Sequence, residues 1–195
     1  LAADGYEPMA VASLAILTGT SDSVEPKASM AELGNVFNLA HVSKSAAKFD
    51  PAELDILNRA LVHHLEFPDA RDRLSSIGIE GDKAEPFWMA VRANLDKFSD
   101  VSLWWKVVTV GPDDAEQLEG EELDFARTAF ACLPEGEFDH MTWKLWTSKI
   151  GEQTGRKGRA LFMPLRIALT GLSSGPELAA LLPLFGREET LARRP

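Results

Sequence analysis

Residues 155–171 read GRKGRALFMPLRIALTG, and residues 172–189 continue LSSGPELAALLPLFGREE. Three cations, Arg156, Lys157 and Arg159, stand among the glycines Gly155 and Gly158, and the adjoining apolar run carries one more, Arg166. Glycine lets backbone amides approach a ligand closely, and a guanidinium fork suits phosphates and the edges of exposed bases. The order therefore predicts a flexible positive loop beside a short helix that holds a rigid donor. The alternative is that cations at a helix end merely offset its dipole. Local physics leaves these two readings level.

A chain of 195 residues has room for one good core or two small ones. Its 45% hydrophobic and 26% charged content is that of a globular protein. The longest apolar stretches, residues 10–17 and 178–185, fall short of the roughly 20 residues a spanning helix needs, so no membrane partner is expected. Acidic Asp4 and Glu7, without a basic run, give no sign of a secretory signal. The single cysteine, Cys132, excludes an internal disulfide and any multi-cysteine zinc site. Its neighbours Phe130, Ala131 and Leu133 predict a buried, inert thiol, which fits a reducing cytoplasm.

The net charge of −10 argues against a nucleic-acid partner until it is divided along the chain. The first 140 residues hold 26 acids against 11 Lys and Arg; from Met141 onward nine cations face four acids, a balance of +5. Such polarity can orient a polyanion on one end and repel it from the other. The acid-rich run 111–124 reads as a solvated loop and helix start, where acids are favoured.

Periodicity is helical nearly throughout, and the expected fold class is all-α. Glu7-Pro8 places proline in a first turn, and Met9, Leu14 and Leu17 come next before Gly19 stops the helix. Ser29 with Glu32 forms a capping box for a short helix through Phe37. Asp50-Pro51, with Glu53, begins a stronger helix carrying Leu54, Leu57, Leu61 and Leu65. Helical spacing also joins Trp88, Val91, Leu95 and Phe98, and, less neatly, Met141, Leu145, Ser148 and Ile150. Expected joints fall at 19–26, 78–86, 111–119 and 134–138.

A self-contained enzyme would need a set of reacting groups, and none assembles. Adjacent His63 and His64 point about 100° apart on a helix, so one partly buried and one exposed ring is expected, not a metal pair. His41 and His140 lack a partner at metal spacing, and there is neither a nucleophile elbow nor a phosphate-cradling GxxxxGK[ST] motif. Trp104-Trp105 and Trp143 with Trp146 invite a base-stacking role, but their spacing favours core packing with at most one ring of each pair exposed.

The run at 155–171, the GPEL helix start at 175–178 and the closing GRE at 186–188 together resemble the C-terminal end of bacterial glutamyl-tRNA synthetases. Residues 4–22, DGYEPMAVASLAILTGTSD, resemble the segment just after that family's catalytic domain, and VSKSAAKFDPAELDILNRALV at 42–62 resembles its next helical landmark. The resemblance implies a fragment of a class I ligase that lacks the Rossmann domain with its HIGH-type and KMSKS-type motifs. ATP and magnesium would belong to that missing domain, and no catalytic residue or metal ligand is expected here. Residues 1–49 would be a stem-contact remnant, and 50–134 and 135–195 two helical anticodon-binding subdomains. The implied partner is glutamate tRNA, or glutamine tRNA as well, bound by a monomer in the cytoplasm without DNA.

Residue by residue, the resemblance makes Arg166 a reader of the first anticodon base, with Pro176 and Leu178 beside it. It makes Arg156, Lys157 and Arg159 contacts to the RNA backbone. Unstacked loop bases suit this arrangement, since they can rest on apolar side chains while an arginine meets their edges. A salt bridge from Arg166 to Glu177 or Glu152 is the competing role. Where some relatives carry an arginine that discriminates the third anticodon base, this chain has His63, which leaves the choice between glutamate and glutamine tRNA open. The rival from another class is a non-catalytic helical scaffold for a protein partner, which would bind with little dependence on salt. A small hydrolase is disfavoured by the missing nucleophile and metal sets.

Overall fold

Proline at Pro8 presets the first turn of α1 (Pro8–Leu17), because its missing N–H would have been an orphan there anyway. The helix closes just before the expected Gly19, where the Thr18 hydroxyl donates to the Leu14 carbonyl at 2.6 Å. Ser29 caps α2 (Met30–Val36) by accepting from the Glu32 amide at 3.2 Å. The reciprocal bond reaches one residue further back than an ideal capping box: Glu32 Oε2 accepts from the Ala28 amide at 3.1 Å. Asp50 starts α3 (Pro51–His64), its carboxylate accepting from the Ala52 amide at 2.9 Å.

The computed structural model describes residues 4–21, 23–43, 49–111 and 115–195. Part of the landmark at 42–62, residues 44–48, lies outside them, as do 112–114 of the acidic run. The described residues form ten α-helices, and their one strand-like pairing is an isolated bridge between Thr20 and Val42. The class is all-α. Contacts divide the chain into two units: Leu1–Arg73 with Arg92–Val101, and Leu74–Val91 with Ser102–Pro195.

In the first unit α1 packs on α3 through Ala10, Leu14, Leu54 and Leu57, ringed by Tyr6, Val11, Val24 and Leu61. Asn58, fully buried on α3, secures this packing with both ends of its amide. Its Oδ1 accepts from the Glu7 amide at 2.7 Å and its Nδ2 donates to the Asp96 carbonyl at 2.8 Å. Arg73, on α4 (Phe67–Ser76), grips the Glu7 carboxylate at 2.8 and 3.1 Å and lies 3.6 Å over the Phe98 ring. Asn58→Ala would strand two backbone groups, each costing about 1–3 kcal/mol when unsatisfied. It is expected to lower unfolding free energy by about 2–4 kcal/mol in urea titration; a loss below about 0.5 kcal/mol would show that water replaces the amide.

The expected continuous helix over Trp88 to Phe98 is a correction. All four spaced residues are buried, but α5 (Ala84–Val91) ends before a 3-10 turn at Arg92–Asn94, and Phe98 opens another. The Asp96 and Lys97 amides donate to Asp100 Oδ2 at 3.1 and 2.8 Å, which starts a fresh turn instead of extending the old one. Trp88 and Val91 serve the core of the second unit, whereas Leu95 and Phe98 serve the first. Periodicity registers burial and is blind to such a change of core.

The second unit contains α5, most of α6 (Val101–Thr109), α7 (Gly120–Ala131), α8 (Thr142–Thr154), α9 (Arg159–Thr170) and α10 (Leu178–Ala192). Its centre holds Phe87, Trp88, Trp146, Leu165, Leu181 and Leu182, all fully buried. The expected inner face of α8 is also corrected: Met141 and Leu145 are 39% and 60% exposed, and Thr142, Trp146, Thr147 and Ile150 face inward. Trp146 decides this orientation, because its large ring packs edge-on to Phe130 and its indole N–H donates to the Ala129 carbonyl at 2.8 Å. Cys132 is only half-buried, with Sγ 3.0 Å from Gln153 Oε1, because that polar neighbour stands at the rim beside the apolar ones.

Candidate nucleic-acid interface

Two glycines shape the loop between α8 and α9. Gly155 closes α8 in the left-handed region at φ 70°, and Gly158 precedes α9 at φ 54° and ψ −134°. An added Cβ at either would meet nothing within 4 Å, so torsion, not space, demands glycine. The Gly155 amide bonds back to the Gly151 carbonyl at 2.9 Å and is therefore no free donor.

The three loop cations diverge. Pro164, inside α9, has no N–H for the carbonyl of Ala160 four residues before it, and Arg156 Nη1 takes that carbonyl at 3.2 Å. The same nitrogen binds Glu122 Oε2 at 2.6 Å, and the guanidinium lies 4.2 Å over the Phe125 ring. Arg156 thus ties the loop to α7. Lys157 and Arg159 are exposed, and their side chains make no hydrogen bond or ion pair among the described residues.

Arg166 sits half-buried on α9, and its Nη2 donates to the Pro176 carbonyl at 3.0 Å. Its Nη1 is buried without a partner among the described residues. Burial pulls its pKa below the ordinary guanidinium value, although arginine stays charged near neutrality. No ion pair joins it to Glu177 or Glu152 among the described residues, so the competing salt bridge is not made. An orphaned charged donor is costly, and its persistence needs an explanation.

Around Arg166 lies a pocket of about 370 Å³ walled by Trp143, Phe162, Glu177, Leu178 and Ala179. Phe162 stands four residues before Arg166, one turn away on the same face of α9. It also borders a second concavity of about 530 Å³ that includes Ser148, Glu152 and Lys157. Leu178, 4% exposed, lines the floor of the Arg166 pocket, and buried Pro176 meets Arg166 through its carbonyl without lining that pocket. Backbone torsion, an aromatic wall, a donor and a free cation thus converge between α8, α9 and the start of α10. The apolar pocket of the first unit, lined by Ala15, Ile16, Met30, Leu33, Phe37 and Val42 among others, has no cation and does not suit a polyanion.

His63 belongs to the first unit, where its Nε2 lies 2.9 Å from the Leu95 carbonyl. It is half-buried and His64 exposed. Sequence reasoning missed the Phe162 wall, for which the signal was its i, i+4 relation to Arg166, and the role of Arg156, for which the signal was Pro164. Among the described residues no group of His, Cys, Asp or Glu is placed to hold a metal, and no helix is long and apolar enough to cross a membrane.

Residues 113–193 match the family model of an anticodon binding domain, which defines the class of the larger part of the second unit. Over 192 residues the chain is 58% identical to glutamate-tRNA ligase 2 of Mesorhizobium japonicum, and over 191 residues 59% identical to glutamate-tRNA ligase 1 of Brucella ovis. Each alignment takes in 98% of this chain and 42% of the relative, so the chain spans about two-fifths of their length. The fold is also that of part of a glutamate tRNA ligase crystal structure from Elizabethkingia meningosepticum, with a TM-score of 0.77 at 21% identity over 97% of this chain and 40% of that one. Residues 113–193 thus have the character of an anticodon binding domain, and the chain as a whole is similar to two-fifths of a glutamate-tRNA ligase.

Proposed function

We propose that this chain grips glutamate tRNA by its anticodon loop, on behalf of a ligase that joins glutamate to that tRNA with ATP. Arg166 carries the reading: a charged donor with one buried nitrogen unpartnered, in an aromatic-walled pocket, is suited to a planar acceptor edge. The base in question is the first of the anticodon, with Leu178 at the pocket floor and the Pro176 carbonyl holding Arg166 in place. Lys157 and Arg159 meet the RNA backbone, and Arg156 holds the loop that presents them. His63 stands where the third anticodon base is discriminated in some relatives, and glutamine tRNA is the second candidate partner. ATP and magnesium act in the portion of the ligase that bears the nucleotide motifs, and binding here raises the charging rate by aligning the distant acceptor end. Residues 1–49 contact the stem, and 50–134 and 135–195 divide the anticodon work. The enzyme is a cytoplasmic monomer.

The test is titration of the chain with an anticodon stem-loop of glutamate tRNA at several salt concentrations. Lys157→Glu and Arg159→Glu are each expected to weaken binding whatever the anticodon and to flatten the plot of log affinity against log salt by about 0.7. Arg156→Glu should instead lower the melting temperature, because it faces Glu122 with a like charge and frees the Ala160 carbonyl. Equal binding of loops with scrambled anticodons, with a salt slope indifferent to Lys157 and Arg159, would defeat the proposal.

A further inference from the structure

We infer that Trp143 is the stacking partner of the same base whose edge Arg166 meets, an inference that rests on the anticodon-binding reading. Trp143 and Trp146 lie three residues apart on α8 but in different circumstances. Trp146 is fully buried, with its indole N–H on the Ala129 carbonyl. Trp143 is half-buried, its indole N–H has no partner among the described residues, and its ring lines the Arg166 pocket. It contacts Trp146 only edge-on, with centroids 5.8 Å apart at 78°.

Across the pocket Trp143 faces Phe162 at 6.1 Å between centroids and 35° between planes, a wedge neither stacked nor edge-to-face. Phe162 is 42% exposed, so the wedge opens to solvent. One wall is thus a broad π-surface, and the donor within the pocket is a guanidinium nitrogen in want of an acceptor. A free phosphate would satisfy the arginine and leave the indole unused; an aliphatic chain would do the reverse. A flat heterocycle with carbonyl or ring-nitrogen acceptors on its edge uses both, which is the chemistry of a nucleobase turned out of its stack. Trp143 positions the base, and Arg166 reads it.

The experiment is a binding cycle with the whole chain and an anticodon stem-loop, either intact or carrying one abasic nucleotide at each anticodon position in turn. On the intact loop Trp143→Leu should weaken binding about tenfold, or about 1.4 kcal/mol, within the range for stacking on an aromatic residue. The loss should vanish with the abasic substitution at one position, the same position at which the effect of Arg166→Met vanishes. Should melting show that Trp143→Leu loosens α8, Trp143→Phe decides, with a loss of about threefold confined to that position. A loss equal on all loops, no loss, or disappearance at a different position from Arg166 would overturn the stacking role while leaving anticodon binding intact. A wild-type chain that bound intact and abasic loops alike would overturn the broader reading and the stacking role together.

Discussion

Gly175→Ala is expected to destabilise the protein by about 3–5 kcal/mol, enough to show as a loss of several degrees in melting temperature. A Cβ added at Gly175 would overlap Cη2 and Cζ2 of Trp104, a ring that is itself only 6% exposed. The backbone there has φ of 138°, a region that L side chains rarely adopt, so torsional strain adds to the clash. Neither cost can be relieved cheaply, because the obstacle is a packed indole and not the tip of a flexible chain. Gly34→Ala is the matching control: it lies within α2, has open space around its Cβ and should stabilise by up to about 1 kcal/mol. A Gly175→Ala protein as stable as wild type would mean that Trp104 has an alternative seat. The substitution should also weaken RNA binding, since the next residue, Pro176, supplies the carbonyl that holds Arg166.

The second large effect concerns Arg166, and its sign differs between stability and binding. Arg166→Met removes one hydrogen bond, to Pro176, and also removes a half-buried charge whose Nη1 is buried and orphaned. An unpaired charged nitrogen held out of water carries a desolvation cost that an apolar side chain of similar length does not. Melting is therefore expected to stay level or rise. Affinity for the cognate anticodon stem-loop should fall by about 1–3 kcal/mol, by analogy with base-edge readout in DNA grooves, while affinity for a loop changed at the first anticodon position hardly moves. A structural tether would show the opposite pair, a large drop in melting temperature and an equal loss on every loop. Denaturant unfolding and the two titrations on the same samples separate the two cases.

What could be read from the residues was chiefly chemical punctuation. Pro8, Ser29 and Asp50 mark helix starts because each meets a backbone requirement within its own first turn, and α1, α2 and α3 begin there. The face of α8 was misread because counting apolar positions weighs Met141 and Leu145 like any others, whereas one tryptophan with a buried hydrogen bond outweighs both. The break after Val91 was hidden because both sides of it are buried, though in different cores. At the candidate site, Arg166, Pro176 and Leu178 were named through family resemblance, and the fold brings the first two within 3.0 Å. Trp143 was weighed with Trp146 as a pair, because spacing alone does not tell which ring turns outward. The tie from Arg156 to Glu122 spans 34 residues, beyond any local pattern.

The polypeptide passes between its two units three times, near residues 73, 91 and 101. Neither unit is therefore an uninterrupted piece of the gene. No single stop codon or start site yields one of them whole: a cut after Arg73 deprives the first of Arg92–Val101, which supplies the Asp96 carbonyl to Asn58 and the Phe98 ring beneath Arg73. A truncation series would lose structure in unequal steps, since each unit needs residues from both sides of a crossing. Recombination that swaps contiguous segments between relatives would have to carry residues 74–101 along with one parent or the other, which joins the inheritance of both units.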